Sequence, residues 1–381
     1  MSIKTRLELY KKLEEKRGNP LIVYVTSQRM GARGGMAADV IDQIIDQIEA
    51  LPSGKKEIDF LIESTGGDGL VSWRAISLLR SVVDKINILV PHSAFSAATL
   101  LSLGGDEIIM GKYGCLGPID PQITITKKDG TTQQFAYEDI VAFINFAQGE
   151  VGLTEQEYKE SAFKILCETV EPSALGFSNR SSKLSVSIAE KLLQSHMSTA
   201  EEKARAKTIA DNLNKKFFNH SHALGRDDAK SIGLNVKEPE KNVEKLMWEI
   251  HKDFEEDFQT RKAFNPLSEF LSESGAEIYL QSPPPLNISS SINQQLLIQI
   301  VQQHIQTQLD ANVPEVIREI KHAAVESLRV ASQFISKNKI IVSRTPDLNF
   351  TCNMIQLKSS WDNIDVEDKK KSEEGESSSE K

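Results

Sequence analysis

Two short apolar segments each lead into residues that could carry out acyl-transfer chemistry. Residues 58–62 (IDFLI) are followed by the glycine-containing STGGD of residues 64–68, and residues 86–90 (INILV) are followed by HSAFS at residues 92–96. Short β-branched segments bounded by turn-forming residues are typical of buried strands. Neighbouring strand ends would place glycine amides beside a serine cluster, which suits a serine nucleophile with backbone oxyanion donors.

Ser96 is the first candidate for the nucleophile. The five residues that follow it, AATLL, are apolar and compatible with a helix. Ser96 would then stand at a helix N-terminus, where free amides favour developing negative charge, and its small neighbours would leave room for a substrate backbone. Ser93 precedes this helix and Ser102 lies within it, so both are weaker candidates. Judged without this context, any one serine is more often a helix cap or a surface hydroxyl.

The oxyanion donors would be the backbone amides of Gly67 and Ala97. Glycine permits the close backbone approach and the unusual dihedral angles that a donor loop needs. The competing interpretation of Gly66-Gly67 is a plain tight turn. The position of this pair after an apolar strand, with Ser96 one strand later, favours the donor loop.

Several blocks of the chain resemble the serine dehydrogenase proteinase family, which is distantly related to the proteolytic subunit of the Clp protease and to the crotonase-like fold. The resemblance covers about residues 1–240. It implies an α/β, crotonase-like fold of repeated β-α units, and an enzyme that hydrolyses peptide bonds through an acyl-enzyme. The matching blocks are LIVYVTSQR (21–29), STGGD (64–68), VPHSAFSAATLLSLGGDEIIMG (90–111), LGPIDPQ (116–122) and SHALGRDDAKSIGL (221–234).

The same resemblance implies a catalytic triad in an altered order along the chain. Asp120 stands where the Clp subunit has its histidine, and His220 and His222 stand near the place of the Clp aspartate. The implied roles are Ser96 as nucleophile, His222 as general base and acid, and Asp120 as the carboxylate that orients it, with His220 as the alternative base. Chain order does not constrain a triad, which is defined by geometry. Asp120 could instead cap a proline-rich turn, and a loop histidine is usually solvated.

Three other functions remain open from the sequence. A Ser–Lys dyad, as in signal-peptide peptidases of this superfamily, would need a partly desolvated lysine, and the candidates downstream of Ser96 are Lys127, Lys128, Lys164 and Lys183. A crotonase-type acyl-CoA enzyme would share the paired amide donors without a nucleophilic serine. A catalytically silent scaffold would keep the fold and bind partners through residues 292–335.

The order of predicted elements divides the chain into three parts. Alternating strands and helices predict a largely parallel sheet in a peptidase domain over residues 1–240. Residues 241–364 are expected to be a mainly helical extension, with antiparallel helices over residues 292–309 and 313–335, and with a late strand over residues 349–357. The sequence QSPPP at residues 281–285 predicts a linker or a rigid turn. Residues 365–381 are predicted to form a disordered tail.

Composition narrows the class of protein further. The 381 residues carry a net charge of −9, which gives no support to nucleic-acid binding. Three scattered cysteines argue against a disulfide framework and for a reducing, cytoplasmic compartment.

We expect a soluble chain, because the N-terminus has no signal-peptide core and no segment is apolar enough to span a membrane. No phosphate-binding glycine loop or HExxH motif occurs, so we expect no cofactor or metal. The expected substrate is a peptide or protein, and the resemblance implies a homo-oligomer.

Overall fold

The computed structural model describes residues 3–127, 130–217, 219–276, 292–309, 315–344 and 349–366. The strands within them are β1 (Leu21–Thr26), β2 (Glu57–Glu63), β3 (Lys85–Val90), β4 (Ser93–Ala94), β5 (Glu107–Met110), β6 (Cys115–Leu116), β7 (Ile123–Thr126), β8 (Thr132–Phe135), β9 (Val236–Lys237), β10 (Val316–Glu326), β11 (Ala331–Arg344) and β12 (Phe350–Ile364).

The helices of these residues include a single π-helical turn, Phe146–Glu150. The α-helices are α1 (Ile3–Arg17), α2 (Val40–Glu49), α3 (Gly69–Arg80), α4 (Ala97–Leu103), α5 (Tyr137–Asn145), α6 (Gln156–Thr169), α7 (Pro172–Gln194), α8 (Ala200–Lys215), α9 (Arg226–Ser231), α10 (Lys241–Asp257), α11 (Pro266–Leu271) and α12 (Gln294–Leu309). None of the helices in this described part is both long and apolar enough to cross a membrane.

The described strands build an eight-stranded sheet in the order β12-β11-β10-β1-β2-β3-β5-β9. Within this sheet, β1, β2, β3, β5 and β9 run parallel to one another, with helices in the connections. β10 pairs antiparallel with β1, and β11 and β12 continue antiparallel from it. The sheet thus combines a parallel, helix-connected half with an antiparallel half from the C-terminal part of the chain. The parallel half with its helices confirms the predicted α/β class.

Both faces of the parallel half are buried, as the continuous apolar sequence of its strands requires. In β1, Ile22 and Tyr24 belong to the core cluster that packs under α2, α3, α4, α7 and α8. The alternate residues of β1, among them Val23, belong to a second cluster that packs under α1 and α10. Successive side chains of a strand point to opposite faces, so this alternation places helices on both sides of the sheet.

The strands predicted over residues 58–62 and 86–90 are confirmed within about one residue at each end. The helix predicted over residues 313–335 is wrong, because this segment contains all of β10 and the start of β11. The spacing of Ile317, Ile320 and Ala324 fits one face of a helix, whereas in a strand Ile317 and Ile320 point to opposite faces. The open edge of β1 stabilises the strand, since pairing satisfies the backbone groups of both segments.

The C-terminal extension is therefore only partly helical, with α10, α11 and α12 followed by three long strands. The late strand predicted over residues 349–357 is confirmed as part of β12. A domain boundary near residue 240 stays a prediction. The linker predicted at residues 281–285 lies outside the described residues, as does the tail predicted over residues 365–381 from residue 367 onward.

Candidate active site

Ser96 occupies a strained position between β4 and α4. Its backbone φ is 53° and ψ is −115°, a conformation that side-chain-bearing residues rarely adopt. The residue stands at the N-cap of α4, yet its hydroxyl makes no capping hydrogen bond. A helix-capping role therefore does not explain this serine. Backbone strain of this kind persists only where the surrounding structure imposes it, and it is frequent at functional sites.

The glycine pair after β2 lies directly against Ser96. A Cβ atom placed on Gly66 would come within 2.8 Å of both the Phe95 carbonyl oxygen and the Ser96 Cβ, and within 3.0 Å of the Ala97 nitrogen. Gly66 also has a φ of 105° and Gly67 a φ of 149°, so both favour glycine on conformational grounds. The pair is thus more than a plain tight turn, because its backbone forms one wall of the Ser96 position.

Hydrogen bonds fix this glycine loop on both of its sides. The Ser64 hydroxyl accepts from the Gly66 amide at 3.0 Å and from the Thr26 hydroxyl at 2.7 Å. On the other side, the Met36 amide donates to the Gly66 carbonyl at 2.8 Å, and the Asp68 amide donates to the Met36 carbonyl at 2.8 Å. Within the described part of the chain, the Gly67 and Ala97 amides have no hydrogen-bond acceptor. Neither amide is thus bound to another group of the described protein, and Gly67 is exposed whereas Ala97 is buried.

Backbone pairing brings the segments that carry Ser96, Asp120 and the two histidines side by side. β4 pairs with β6, with Ala94 opposite Leu116. Leu116 in turn exchanges two backbone hydrogen bonds with Leu224, at 3.0 and 2.9 Å. The Gly117 amide donates to the Thr99 hydroxyl at 2.9 Å, which holds the turn after β6 against α4. The segments that carry Ser96, Asp120 and the two histidines thus lie beside one another, although they are far apart in the chain.

The buried Asp120 carboxylate contacts His220 rather than His222. Asp120 Oδ1 lies 2.8 Å from His220 Nδ1, and Asp120 Oδ2 accepts a hydrogen bond from Gln122 Nε2 at 2.7 Å. His222 is exposed and stacks on Phe217, with ring centroids 4.9 Å apart. Asp120 thus contacts His220, the alternative histidine, and not His222, whereas the catalytic role of either histidine stays a prediction.

The local turn explains which histidine reaches Asp120. The Asn219 side-chain oxygen accepts from the Ser221 amide at 2.7 Å, and its backbone carbonyl accepts from the His222 amide at 2.9 Å. This Asx-type turn separates the directions of the two imidazoles. His220 side-chain exposure is 31%, against 9% for Asp120, so the pair stands at the surface of the fold with its carboxylate inside.

A cleft of about 640 Å³ opens beside the Asp120–His220 pair. Gln122, Tyr137 and Glu138 are among the residues that line it. Burial raises the pKa of the Glu138 carboxyl, and the hydrogen bond from the Ser182 hydroxyl opposes this shift. Asp120 and His220 line the cleft, whereas Ser96, Gly67 and Ala97 are not among its lining residues.

Cys115 lies in β6 opposite Ser93 of β4 and adds a thiol to the hydroxyl groups of this region. Its Sγ donates to the His92 carbonyl at 3.4 Å. Burial, assisted by the negative charge of Glu63, raises the pKa of the Cys115 thiol to about 11. A thiol with this pKa is protonated at neutral pH, so Cys115 is not an activated thiolate.

These features agree with the family comparison. Residues 1–132 match the model of the family described as ClpP-like SDH-type serine proteinase. This match contains Ser96, Gly67, Ala97 and Asp120, and it confirms the predicted resemblance for about the first third of the chain. The segment with His220 and His222 lies after the matched residues.

Two uncharacterized proteins of Methanocaldococcus jannaschii, MJ0137 and MJ1495, are similar to this chain. Each is 31% identical, over 124 and 127 residues respectively. These alignments cover 31% and 32% of the chain and 43% of each relative. The chain thus spans less than half the length of the curated relatives that it matches.

Two solved structures of a 1510-N membrane-bound stomatin-specific protease are also similar to this chain. One is a serine-to-alanine mutant, which is 15% identical with a TM-score of 0.36, and the match covers 60% of this chain and 84% of that one. The other is a lysine-to-alanine mutant in complex with a substrate peptide, which is 16% identical with a TM-score of 0.35, and the match covers 59% and 78%.

Proposed function

We propose that this protein is a serine peptidase that hydrolyses peptide bonds through an acyl-enzyme. Ser96 would attack the scissile carbonyl, His220 would take and return the proton, and Asp120 would orient His220. The amides of Gly67 and Ala97 would stabilise the oxyanion. The observation that carries the proposal is the strained Ser96, whose hydroxyl makes no capping bond, against the Gly66 backbone in a segment that matches a serine proteinase family.

The choice of His220 as base rests on its contact with Asp120. A carboxylate bound to Nδ1 fixes the imidazole tautomer and leaves Nε2 to accept the serine proton. Among the described residues His222 has no carboxylate partner, and its ring packs on Phe217 instead. The contact with Asp120 therefore supports His220 over His222 as the base, and within the described residues neither histidine is hydrogen-bonded to Ser96.

A lysine base is less well supported. Lys127, Lys164 and Lys183 are exposed, whereas a lysine that acts as a base needs partial desolvation to lower its pKa. Lys128 lies outside the described residues.

A peptide or protein substrate follows from the proposed chemistry. Assembly into a homo-oligomer and a cytoplasmic location stay proposals that rest on the family resemblance and on the free cysteines, Cys115, Cys167 and Cys352.

Labelling with a fluorophosphonate tests the proposal directly, because this reagent modifies serines that are activated as nucleophiles. We expect one label per chain on the full-length protein and loss of that label in Ser96→Ala. Ser102→Ala is the matched control, since Ser102 lies on α4 and its hydroxyl only donates to the Ala98 carbonyl at 2.8 Å. A folded wild-type protein that takes no label would overturn the proposal and would favour an acyl-CoA enzyme or a scaffold.

A further inference from the structure

A second cluster of reactive side chains lies on the other side of the β2 and β3 strand ends. Glu63, His92 and His251 each offer one ligand atom, and these three atoms all lie within 4.8 Å of one another. His251 Nδ1 is 2.9 Å from Glu63 Oε2, and His92 Nδ1 is 3.9 Å from Glu63 Oε1. The proposed peptidase chemistry uses none of these residues.

We propose that Glu63, His92 and His251 form a binding site for a divalent transition-metal ion such as Zn²⁺. Two imidazoles and one carboxylate are a donor set that zinc commonly takes, at bond lengths of about 2.0–2.2 Å. Ligand atoms around a tetrahedral ion with such bonds lie roughly 3.4 Å apart. Measured from the single oxygen Oε1 of Glu63, His251 Nδ1 lies at 3.0 Å and His92 Nδ1 at 3.9 Å, on either side of this value. The two imidazoles are stacked, so the rings would have to turn for both nitrogens to face one ion.

The cluster has the outer support that metal ligands need. Gln28 Nε2 lies 3.3 Å from Glu63 Oε1 and 2.7 Å from the Ser93 hydroxyl, which orients the carboxylate. Trp248 stacks on His251 with ring centroids 4.5 Å apart, and His92 stacks on the same imidazole at 4.6 Å. Outer hydrogen bonds such as the one from Gln28 to Glu63 fix ligand orientation, and their loss typically weakens metal binding about 10–100-fold.

The site also has room for a fourth ligand. A small cavity of about 50 Å³ is bounded by Gln28, Glu63, His92 and His251. A water molecule needs a cavity of roughly 10–15 Å³ when measured with a water-sized probe, so one solvent ligand fits. Three protein ligands and one water would give a four-coordinate ion.

The position of the cluster suggests what the ion would do. Glu63 ends β2 immediately before Ser64, and His92 follows β3 immediately before β4. His251 belongs to α10, outside the segment that matches the family model. A bound ion would tie both loops that lead to Gly67 and Ser96 to the C-terminal extension. The inference does not depend on peptidase activity, because it concerns binding and stability.

The experiment measures Zn²⁺ binding to the metal-free, full-length protein by calorimetry and by metal content after dialysis. We expect one Zn²⁺ per chain and a melting temperature that rises with zinc concentration, as binding to the native state alone requires. Mg²⁺ should not substitute, since it prefers oxygen ligands. Replacement by Co²⁺ should give the visible absorption of a tetrahedral ion.

Variants separate this site from adventitious binding to surface histidines. His92→Ala removes a ligand whose side chain is 41% exposed, so the fold should survive, and the zinc affinity should fall by at least about 100-fold. Glu63→Gln, which keeps the shape of the side chain, should give a comparable loss. His222→Ala is the matched control and should bind zinc as the wild type does. Wild-type binding no tighter than that of His92→Ala would overturn the proposal and leave Glu63 and His251 as a buried ion pair.

Discussion

His220 Nδ1 lies 2.8 Å from Asp120 Oδ1, although a hundred residues separate them in the chain. The carboxylate is held from its other oxygen by Gln122 and is 9% exposed. A carboxylate in this arrangement aligns one imidazole and favours the tautomer with a proton on Nδ1. The contact therefore distinguishes two histidines that are only two positions apart.

The first prediction compares these histidines. His220→Ala should lower kcat/KM for a fluorogenic peptide by about 10²–10⁴-fold, the usual contribution of a general base. His222→Ala should leave kcat/KM nearly unchanged, because His222 is exposed and contacts Phe217. The double variant Ser96→Ala with His220→Ala should lose little more than Ser96→Ala alone, since the residues act as a unit. Full activity of His220→Ala would assign the base to His222 or to a lysine.

The second prediction concerns Asp120. Asp120→Asn should lower kcat strongly but less than Ser96→Ala does, because the amide would hold His220 in the wrong tautomer while the nucleophile remains. KM should change much less than kcat. The circular dichroism spectrum should match that of the wild type, because a loss of folded protein would also lower the apparent kcat at constant KM. Asp227→Asn, at an exposed position of α9, is the control. Equal activity of the two variants would reduce Asp120 to a structural residue of its turn.

The sequence identified the parts of the site that are encoded locally. Ser96 and Gly67 each follow a short β-branched strand, so their loops could be found from strand and turn signals alone. The choice between His220 and His222 depends on the Asn219 turn and on which imidazole reaches Asp120. The spacing of residues in the sequence does not indicate which histidine contacts Asp120, because His220 and His222 lie in the same predicted loop.

Long-range pairing explains the other differences. Val325 of β10 lies opposite Tyr24 of β1, three hundred positions earlier, and this partner decides that the segment forms a strand. The Glu63, His92 and His251 cluster was missed for a similar reason. Its members come from β2, the loop after β3 and α10, and none of them belongs to a metal-binding motif with fixed spacing.

The third prediction tests the glycine loop. Gly66→Ala would force a Cβ against the Phe95 carbonyl and Ser96, so we expect reduced stability and a much slower fluorophosphonate reaction at Ser96. Gly54→Ala is the matched control, because Gly54 also has a positive φ of 78° but nothing lies within 4 Å of its added Cβ.

Gly54→Ala should lower the free energy of unfolding by about 1–2 kcal/mol through backbone strain and leave the labelling rate unchanged. Labelling of Gly66→Ala at the wild-type rate, in folded protein, would show that the loop does not shape the Ser96 site.

The last prediction concerns the buried cluster that joins the N-terminal helix to the C-terminal extension. Arg6 donates to both carboxylate oxygens of Glu326 at 2.8 Å and to Asp253 at 2.7 Å. The Arg6 and Glu326 side chains are fully buried, and the Tyr10 hydroxyl also donates to Glu326. α1, α10 and β10 thus meet at one charged cluster beneath the sheet.

Arg6→Met should lower the free energy of unfolding by about 3–5 kcal/mol, because it leaves buried carboxylates without their cation. Lys215→Met, which breaks an exposed ion pair with Asp211, should cost less than about 1 kcal/mol. Adding Glu326→Gln to Arg6→Met should restore part of the loss, since it removes one uncompensated charge. Denaturant unfolding followed by circular dichroism measures all three variants. An Arg6→Met protein as stable as Lys215→Met would contradict this prediction. It would mean that the buried carboxylates do not need the Arg6 cation in the folded state, so this cluster would not hold the extension to α1.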